Sequence, residues 1–222
     1  MLVVRQAVVG PFAENTYLVA DSGTGDAIVI DPGGDTARVL GLAQPDFRIG
    51  RILATHGHAD HLVGAEEFSR RTGASFQIHV GDEPFVRALP EQAARLGLGE
   101  TRSPRISSFL EDGESFRVGN HEGRVIHTPG HSPGGVSLHF PDDRVIFTGD
   151  TLFAGSVGRT DLPGSDGAAL LCSIRERLFP LGDDVRFFPG HGPAGTLGAE
   201  RRTNPYAGED LSPRPTPSTR RP

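Results

Sequence analysis

Apolar and polar positions fall along this chain in short runs that switch between two periods. Leu2 to Val9 and Thr16 to Ala20 read as strands, and Ala27-Ile28-Val29-Ile30 is an unbroken apolar run that stops at the turn Asp31-Pro32-Gly33-Gly34. Arg51-Ile52-Leu53-Ala54 repeats that pattern one loop later. The period then changes: Leu62, Ala65 and Phe68 recur at helical spacing between Leu62 and Arg71, and Gly73 marks the stop. Phe76-Gln77-Ile78-His79-Val80 returns to a strand. Glu83 to Leu98 predicts a helical excursion with Phe85, Leu89 and Leu96 as its apolar positions and a break at Pro90, serving either as packing or as a wall over a site. Three further apolar runs, Val125-Ile126, Val145-Ile146-Phe147 and Phe187-Phe188, each read as a buried strand ending in a Gly- or Pro-bearing turn. Ser165 to Leu178 is the last strong helical pattern. Beyond Tyr206, Pro213, Pro215, Pro217 and Pro222 sit among Ser, Thr and Arg, which predicts a disordered tail over 206–222 behind a domain of 1–205.

Composition narrows the functional classes. A chain of 222 residues, 36% hydrophobic, buries a core for one domain, with room for two similar halves. Its net charge of -6 disfavours nucleic acid as a partner. All 22 basic residues are arginine, which excludes Schiff-base lysine chemistry and a phosphate-binding P-loop. The single cysteine, Cys172, forbids an internal disulfide and fits a reducing compartment; in Ala169-Leu170-Leu171-Cys172-Ser173-Ile174 it reads as a core position on an apolar helix face. No run approaches the roughly 20 apolar residues of a membrane span, and Met1-Leu2-Val3-Val4 is too short for a signal peptide. A soluble, cytoplasmic protein that does not enter a membrane is the expectation.

The chemistry is concentrated at strand ends. His56-Gly57-His58-Ala59-Asp60-His61 puts three imidazoles and a carboxylate into six residues, and the spacing suits a tight loop after a strand better than a helical pair. His131, Asp150 and His191 close three of the other apolar runs in the same way. Clusters of imidazole and carboxylate are the usual surroundings of zinc or iron, so four strand ends are expected to converge on a metal site. His79, His121 in a polar turn, His127 and His139 read as structural histidines, with His127 and Asp31 as candidate orienting partners for ligands.

These motifs, together with Gly130-His131, Gly149-Asp150 and Gly190-His191-Gly192-Pro193, resemble the metallo-β-lactamase fold superfamily over roughly residues 1 to 205. Gly149 to Phe153, Gly158-Arg159-Thr160-Asp161-Leu162-Pro163-Gly164 and Arg202-Thr203-Asn204-Pro205 are similar to the short glyoxalase II-like hydrolases of bacteria. The resemblance implies an α+β protein, a four-layer αββα sandwich with a dinuclear site at one edge. Carried over by position, His56, His58 and His131 would hold one ion, Asp60, His61 and His191 a second, and Asp150 would bridge them. Asp60 and Asp150 are thereby the carboxylates of the catalytic centre. Zinc, iron and manganese all suit such ligands as divalent cofactors. A water shared by two such cations deprotonates near neutral pH, and the hydroxide can attack an acyl carbon and expel a thiolate.

The activity implied is hydrolysis of S-2-hydroxyacyl-glutathione or a related small-molecule thioester. Arg159 could grip a substrate carboxylate, or it could pair with Asp161 or Asp166 to fix its own loop. Three other readings stand beside it. A mononuclear-iron persulfide dioxygenase shares a stretch like Gly158-Arg159-Thr160-Asp161, although Val157 stands where those enzymes carry a cysteine. A lactonase would use the same hydroxide. A binding module stapled by metal would show closed, cysteine-rich sites, which this ligand set lacks. Full-length glyoxalase II enzymes also carry a C-terminal helical region that contacts glutathione, whereas here only Gly192 to Pro222 follow the last ligand.

Overall fold

The structure is a computed structural model, and it describes residues 1–209. One six-stranded sheet is built from β1 (Leu2–Val9), β2 (Glu14–Asp21), β3 (Asp26–Ile30), β4 (Arg48–Leu53), β5 (Ser75–His79) and β6 (Ile106–Leu110), in that spatial order. β1, β2 and β3 pair antiparallel, and β3 to β6 run parallel. The second sheet takes β7 (Ser115–Val118), β8 (His121–His127), β9 (Val136–Phe140) and β10 (Val145–Gly149) from one meander. A small hairpin, β11 (Leu152–Phe153) with β12 (Ser156–Val157), intervenes before β13 (Arg186–Pro189) pairs parallel to β10 and β14 (Gly195–Thr196) closes the edge.

Helices cover both outer faces. α1 (Thr36–Gly41), α2 (Ala59–Leu62), α3 (Ala65–Thr72), α4 (Glu83–Arg87) and α5 (Leu89–Leu96) follow strands of the first sheet. α6 (Gly167–Cys172), continued by a π-helical turn through Leu178, and α7 (Leu197–Thr203) belong to the second. The fold is thus the four-layer αββα sandwich that the family resemblance implied.

The side-chain period of two explains why the sandwiched strands read as continuous apolar runs. In β2, Leu18 and Ala20 join the core beneath α1 to α5, while Tyr17 and Val19 point into the core between the sheets. β3 divides the same way, Ala27 and Val29 against Ile28 and Ile30. In the second sheet Ile146 and Phe187 pack under α6, and Phe147 and Phe188 face inward. Phe147 and Phe188 stack with centroids 5.2 Å apart, and Tyr17 meets Phe147 edge-on at 5.2 Å while its hydroxyl donates to the Pro189 carbonyl.

Several elements depart from the pattern. The excursion over 83–98 breaks at Ala88 rather than Pro90, because a proline in the first turn of α5 costs no helical hydrogen bond. Cys172 is exposed and is not a core residue. Leu170, Ile174 and Leu178, four residues apart, set the buried face of that helix and turn Cys172 outward. His121 opens β8 rather than occupying a turn, and its Nδ1 lies 2.8 Å from Asp143 Oδ2. Asp60 and His61 sit on a one-turn helix, α2, rather than a plain loop. Of the expected tail, Tyr206 to Glu209 are tied back: Arg175 donates to the carbonyls of Tyr206 and Ala207, and the Glu209 amide donates to Arg201. Residues 210–222 lie outside the described residues.

Candidate metal centre

The parallel pairs β3/β4 and β10/β13 end at one rim of the sandwich, and the turns leaving them carry the polar residues. Asp31 follows β3, Thr55 to His61 follow β4, His131 lies beyond β8, Asp150 follows β10 and His191 follows β13. The turns are forced together by close approach of backbone. Asn15 donates its amide to the Gly190 carbonyl at 2.7 Å, and Gly190 donates to the Gly149 carbonyl at 2.8 Å. A Cβ on Gly190 would collide with Asp150 Oδ1 and His61 Cε1, so only glycine lets the two strand ends meet there.

All seven residues singled out in the sequence come together. His56, His58 and His131 form one group and Asp60, His61 and His191 another, with one ligand atom from each residue within 4.8 Å of the others in its group. Asp150 stands between the groups: its Oδ1 is 3.4 Å from His61 Nε2, and its Oδ2 is 3.5 Å from His131 Nε2 and 3.7 Å from His191 Nε2. Within the groups, His58 Nδ1 faces His131 Nε2 at 2.9 Å, and Asp60 Oδ2 lies 3.3 Å from His191 Nε2.

The remaining ring nitrogens are occupied in a way that leaves ligand atoms bare. His131 Nδ1 donates to the Arg159 carbonyl at 2.8 Å, and His191 Nδ1 donates to the Phe12 carbonyl at 3.1 Å. His61 Nδ1 donates to Asp31 Oδ2 at 3.0 Å. Asp31 also accepts the Thr55 amide at 2.7 Å and the Thr55 hydroxyl at 2.5 Å, so the hydroxyl oxygen is left to accept from His56 Nδ1 at 3.1 Å. With Nδ1 so engaged, each of these four imidazoles leaves Nε2 as its candidate metal-binding atom, the usual arrangement of histidine ligands held by outer partners. His56 Nε2 and Asp150 Oδ1 are buried with no hydrogen-bond partner, a costly state for a protein atom and a natural one for an atom awaiting a cation. The donor set fits divalent metal.

Electrostatics separates the two groups. Burial, reinforced by the neighbouring imidazoles, holds His56 well below the ordinary histidine range and takes His58 down to about 3. Burial also opposes the charged form of His61, yet Asp150, Asp60 and Asp31 together raise it well above its ordinary value. His191 is raised likewise against burial, by Asp60 and Asp150. Asp60, despite burial, is held below the usual carboxylate range by His61 and His191.

Sequence reasoning missed two buried acids. Glu14, 1% exposed at the start of β2, accepts from the Thr16 hydroxyl at 3.0 Å and stands 3.7 Å from His61 Nδ1; burial pushes its carboxyl well up. Asp82 is fully buried against the loops of His56 and His131. It repeats the signature that exposed Asp150, a Gly-Asp pair after a strand. Asp31 is the orienting partner expected of it, whereas His127 stacks on His79 at 4.2 Å and bonds to the Pro133 carbonyl, away from the ligands. The excursion over 83–98 does flank the site: Phe85 meets the His58 ring edge-on at 5.4 Å, and Gln92 braces it through the Phe85 carbonyl. Arg159 is exposed and doubly hydrogen bonded to Asp161, Nε and Nη2 each at 2.8 Å.

A two-sheet sandwich with histidine and aspartate groups at its rim defines a metallo-β-lactamase fold, and residues 9–191 match the Metallo-beta-lactamase superfamily, to which the chain belongs. Among its relatives is the hydroxyacylglutathione hydrolase GloC of Haemophilus influenzae, 37% identical over 203 residues, covering 88% of this chain and 93% of that protein. Among solved structures, TTHA1623 in a di-iron-bound form is 38% identical with a TM-score of 0.81, over 91% of this chain and 99% of that one. The B3 metallo-beta-lactamase BLEG-1 is 31% identical with a TM-score of 0.85, over 92% and 99%. Among the described residues no helix is long and apolar enough to cross a membrane.

Proposed function

We propose that this metal-dependent hydrolase cleaves a small-molecule thioester of the S-2-hydroxyacyl-glutathione type, with His56, His58 and His131 holding one divalent ion and Asp60, His61 and His191 the other. The observation that carries the reading is Asp150, one carboxylate within 3.4–3.7 Å of an imidazole nitrogen in each group. Two divalent ions there would supply Lewis acidity and a water made acidic enough to be a nucleophile at neutral pH. The similarity to GloC supports the thioester as substrate.

The chain's own residues prepare the site. Asp31, Thr55 and the Arg159 and Phe12 carbonyls fix the tautomers that leave ligand nitrogens free. Phe85 beside His58 and Phe153, whose ring centroid is 6.3 Å from that of His191, give the site apolar flanks that limit competing water. A thiolate leaving group needs no strong general acid, which agrees with an inner site composed of ligands and their supports. Arg159 offers Nη1 to a substrate carboxylate while Nε and Nη2 are held by Asp161.

The test is thiol release from S-D-lactoylglutathione by protein reconstituted with zinc, iron or manganese, beside Asp150→Ala. A kcat/KM of about 10⁴ M⁻¹s⁻¹ or more that vanishes in the variant supports the reading. Metal-replete protein that leaves this thioester intact overturns it. Oxygen consumption with glutathione persulfide, or lactone opening, in the same preparation would put a dioxygenase or lactonase in its place.

A further inference from the structure

Asp82 ends a 3₁₀ turn after β5 and is 0% exposed, closed off from solvent. Its Oδ2 accepts the Gly57 amide at 2.7 Å and the Ser132 hydroxyl at 2.7 Å, and its Oδ1 accepts the Gly134 amide at 2.6 Å. Gly57 lies between His56 and His58 on the loop of the first sheet. Ser132 and Gly134 follow His131 on the loop of the second. One carboxylate thus clamps the two loops that bring three imidazoles together from opposite sheets. The approach is tight enough that a Cβ on Gly134 would come within 2.8 Å of Asp82 Cγ, and one on Gly57 within 3.1 Å of Asp82 Cβ. The sheets themselves do not need this clamp, because the Val136 amide already donates to the Thr55 carbonyl at 2.8 Å. No hydrogen bond joins Asp82 to Asp60, His61 or His191.

We propose that Asp82 is a positioning residue for the three-imidazole group alone, setting the separation of His56 and His58 from His131 so that a divalent ion is held there. The proposal rests on the reading of the two groups as two metal sites. Asn at this position replaces one acceptor with a donor and cannot satisfy all three partners. Loss of an outer partner of this kind weakens metal binding about 10- to 100-fold.

The experiment counts metal retained by full-length holoprotein after dialysis against a graded chelator series, and records the absorption spectrum after cobalt(II) substitution. Asp82→Asn is compared with the unmutated chain, with His131→Ala and His191→Ala as spectral references, and with Asp21→Asn. Asp21 is a fair control because it is 1% exposed and accepts from Gly23, the Asn120 amide and the Asn120 side chain, remote from the ligands. The expected result is that Asp82→Asn loses one ion about 10- to 100-fold more readily, keeps the other, and matches the cobalt spectrum of His131→Ala. Asp21→Asn should keep both ions even where its melting temperature falls. Ser132→Ala, which removes one of three donors, should fall between and serves if Asp82→Asn does not fold. Parallel loss of both ions, retention of both at unmutated affinity, or a spectrum matching His191→Ala would overturn the proposal. An unmutated chain that takes up no divalent metal would instead sink the two-site reading, and the proposal with it.

Discussion

The three-imidazole group and the Asp60–His61–His191 group lie side by side and are built on opposite electrostatic plans. In the first, burial and mutual repulsion keep His56 and His58 neutral, so lone pairs stand ready with the Asp150 carboxylate beside His131. In the second, carboxylates pull His61 and His191 toward the charged form, so the pocket attracts cations and protons alike. The contrast teaches that nearness of ligands is one design problem and charge is another. The first group needs its geometry enforced, and the second needs its protons removed.

The severest way to break the contrast is to remove what the groups share. Asp150→Ala should lower kcat/KM for the thioester by at least about 10³-fold, measured on protein with verified metal content, because residues acting as one unit fail together. Asp31→Ala comes next. It strips the partner from His61 directly and from His56 through Thr55, so both ions should be lost about 10- to 100-fold more readily, whereas Asp82→Asn should release only one.

Proton competition gives a third, smaller effect with a definite sign. In the metal-free protein His61 and His191 have raised values, so as pH falls from 8 to 6 an entering ion must displace protons there, and affinity drops by up to about tenfold per unit for each proton displaced. His58, at about 3, carries no proton to displace over that range. Calorimetric titration at several pH values should show the step that fills the Asp60–His61–His191 group weakening more steeply with acid than the other; two steps weakening equally would erase the distinction. The metal-free fold should mirror this. His61 and His191 contribute stability that is complete below about 6.5 and is lost as pH rises through their raised values, while the contribution from His58 is present above about 6.5 and is lost as pH falls toward 3.

The smallest effect belongs to Arg159→Ala. The Arg159–Asp161 pair is exposed on both sides, so its loss should leave the melting temperature essentially unchanged and both ions in place. A rise in KM of a few-fold with kcat retained would mark a substrate contact; no change in either would leave Asp161 as its only partner.

The candidate ligands were legible in the sequence because they follow apolar runs, and buried strands of a sandwich announce themselves by unbroken hydrophobicity. Supports were not. Glu14 opens a strand whose eight residues are all buried, and nothing local distinguishes a carboxyl headed inward from one headed to solvent. Asp82 reaches across 50 residues to Ser132, a separation no local pattern reports. β6 and β7 escaped notice because they are short and neither holds an apolar run of more than two residues, with Phe109 of β6 exposed. Cys172 was misplaced because a six-residue apolar stretch does not say which side of a helix turns inward; Leu170, Ile174 and Leu178 decide it together.

Asp31, joined to His61 on one side and through Thr55 to His56 on the other, also makes the two groups thermodynamically interdependent. Whatever orders Asp31 from one side lowers the entropic cost of ordering it from the other, and such coupling is reciprocal by necessity. Filling either site should therefore raise affinity at the other by the same factor whichever fills first, with the two binding steps still separable.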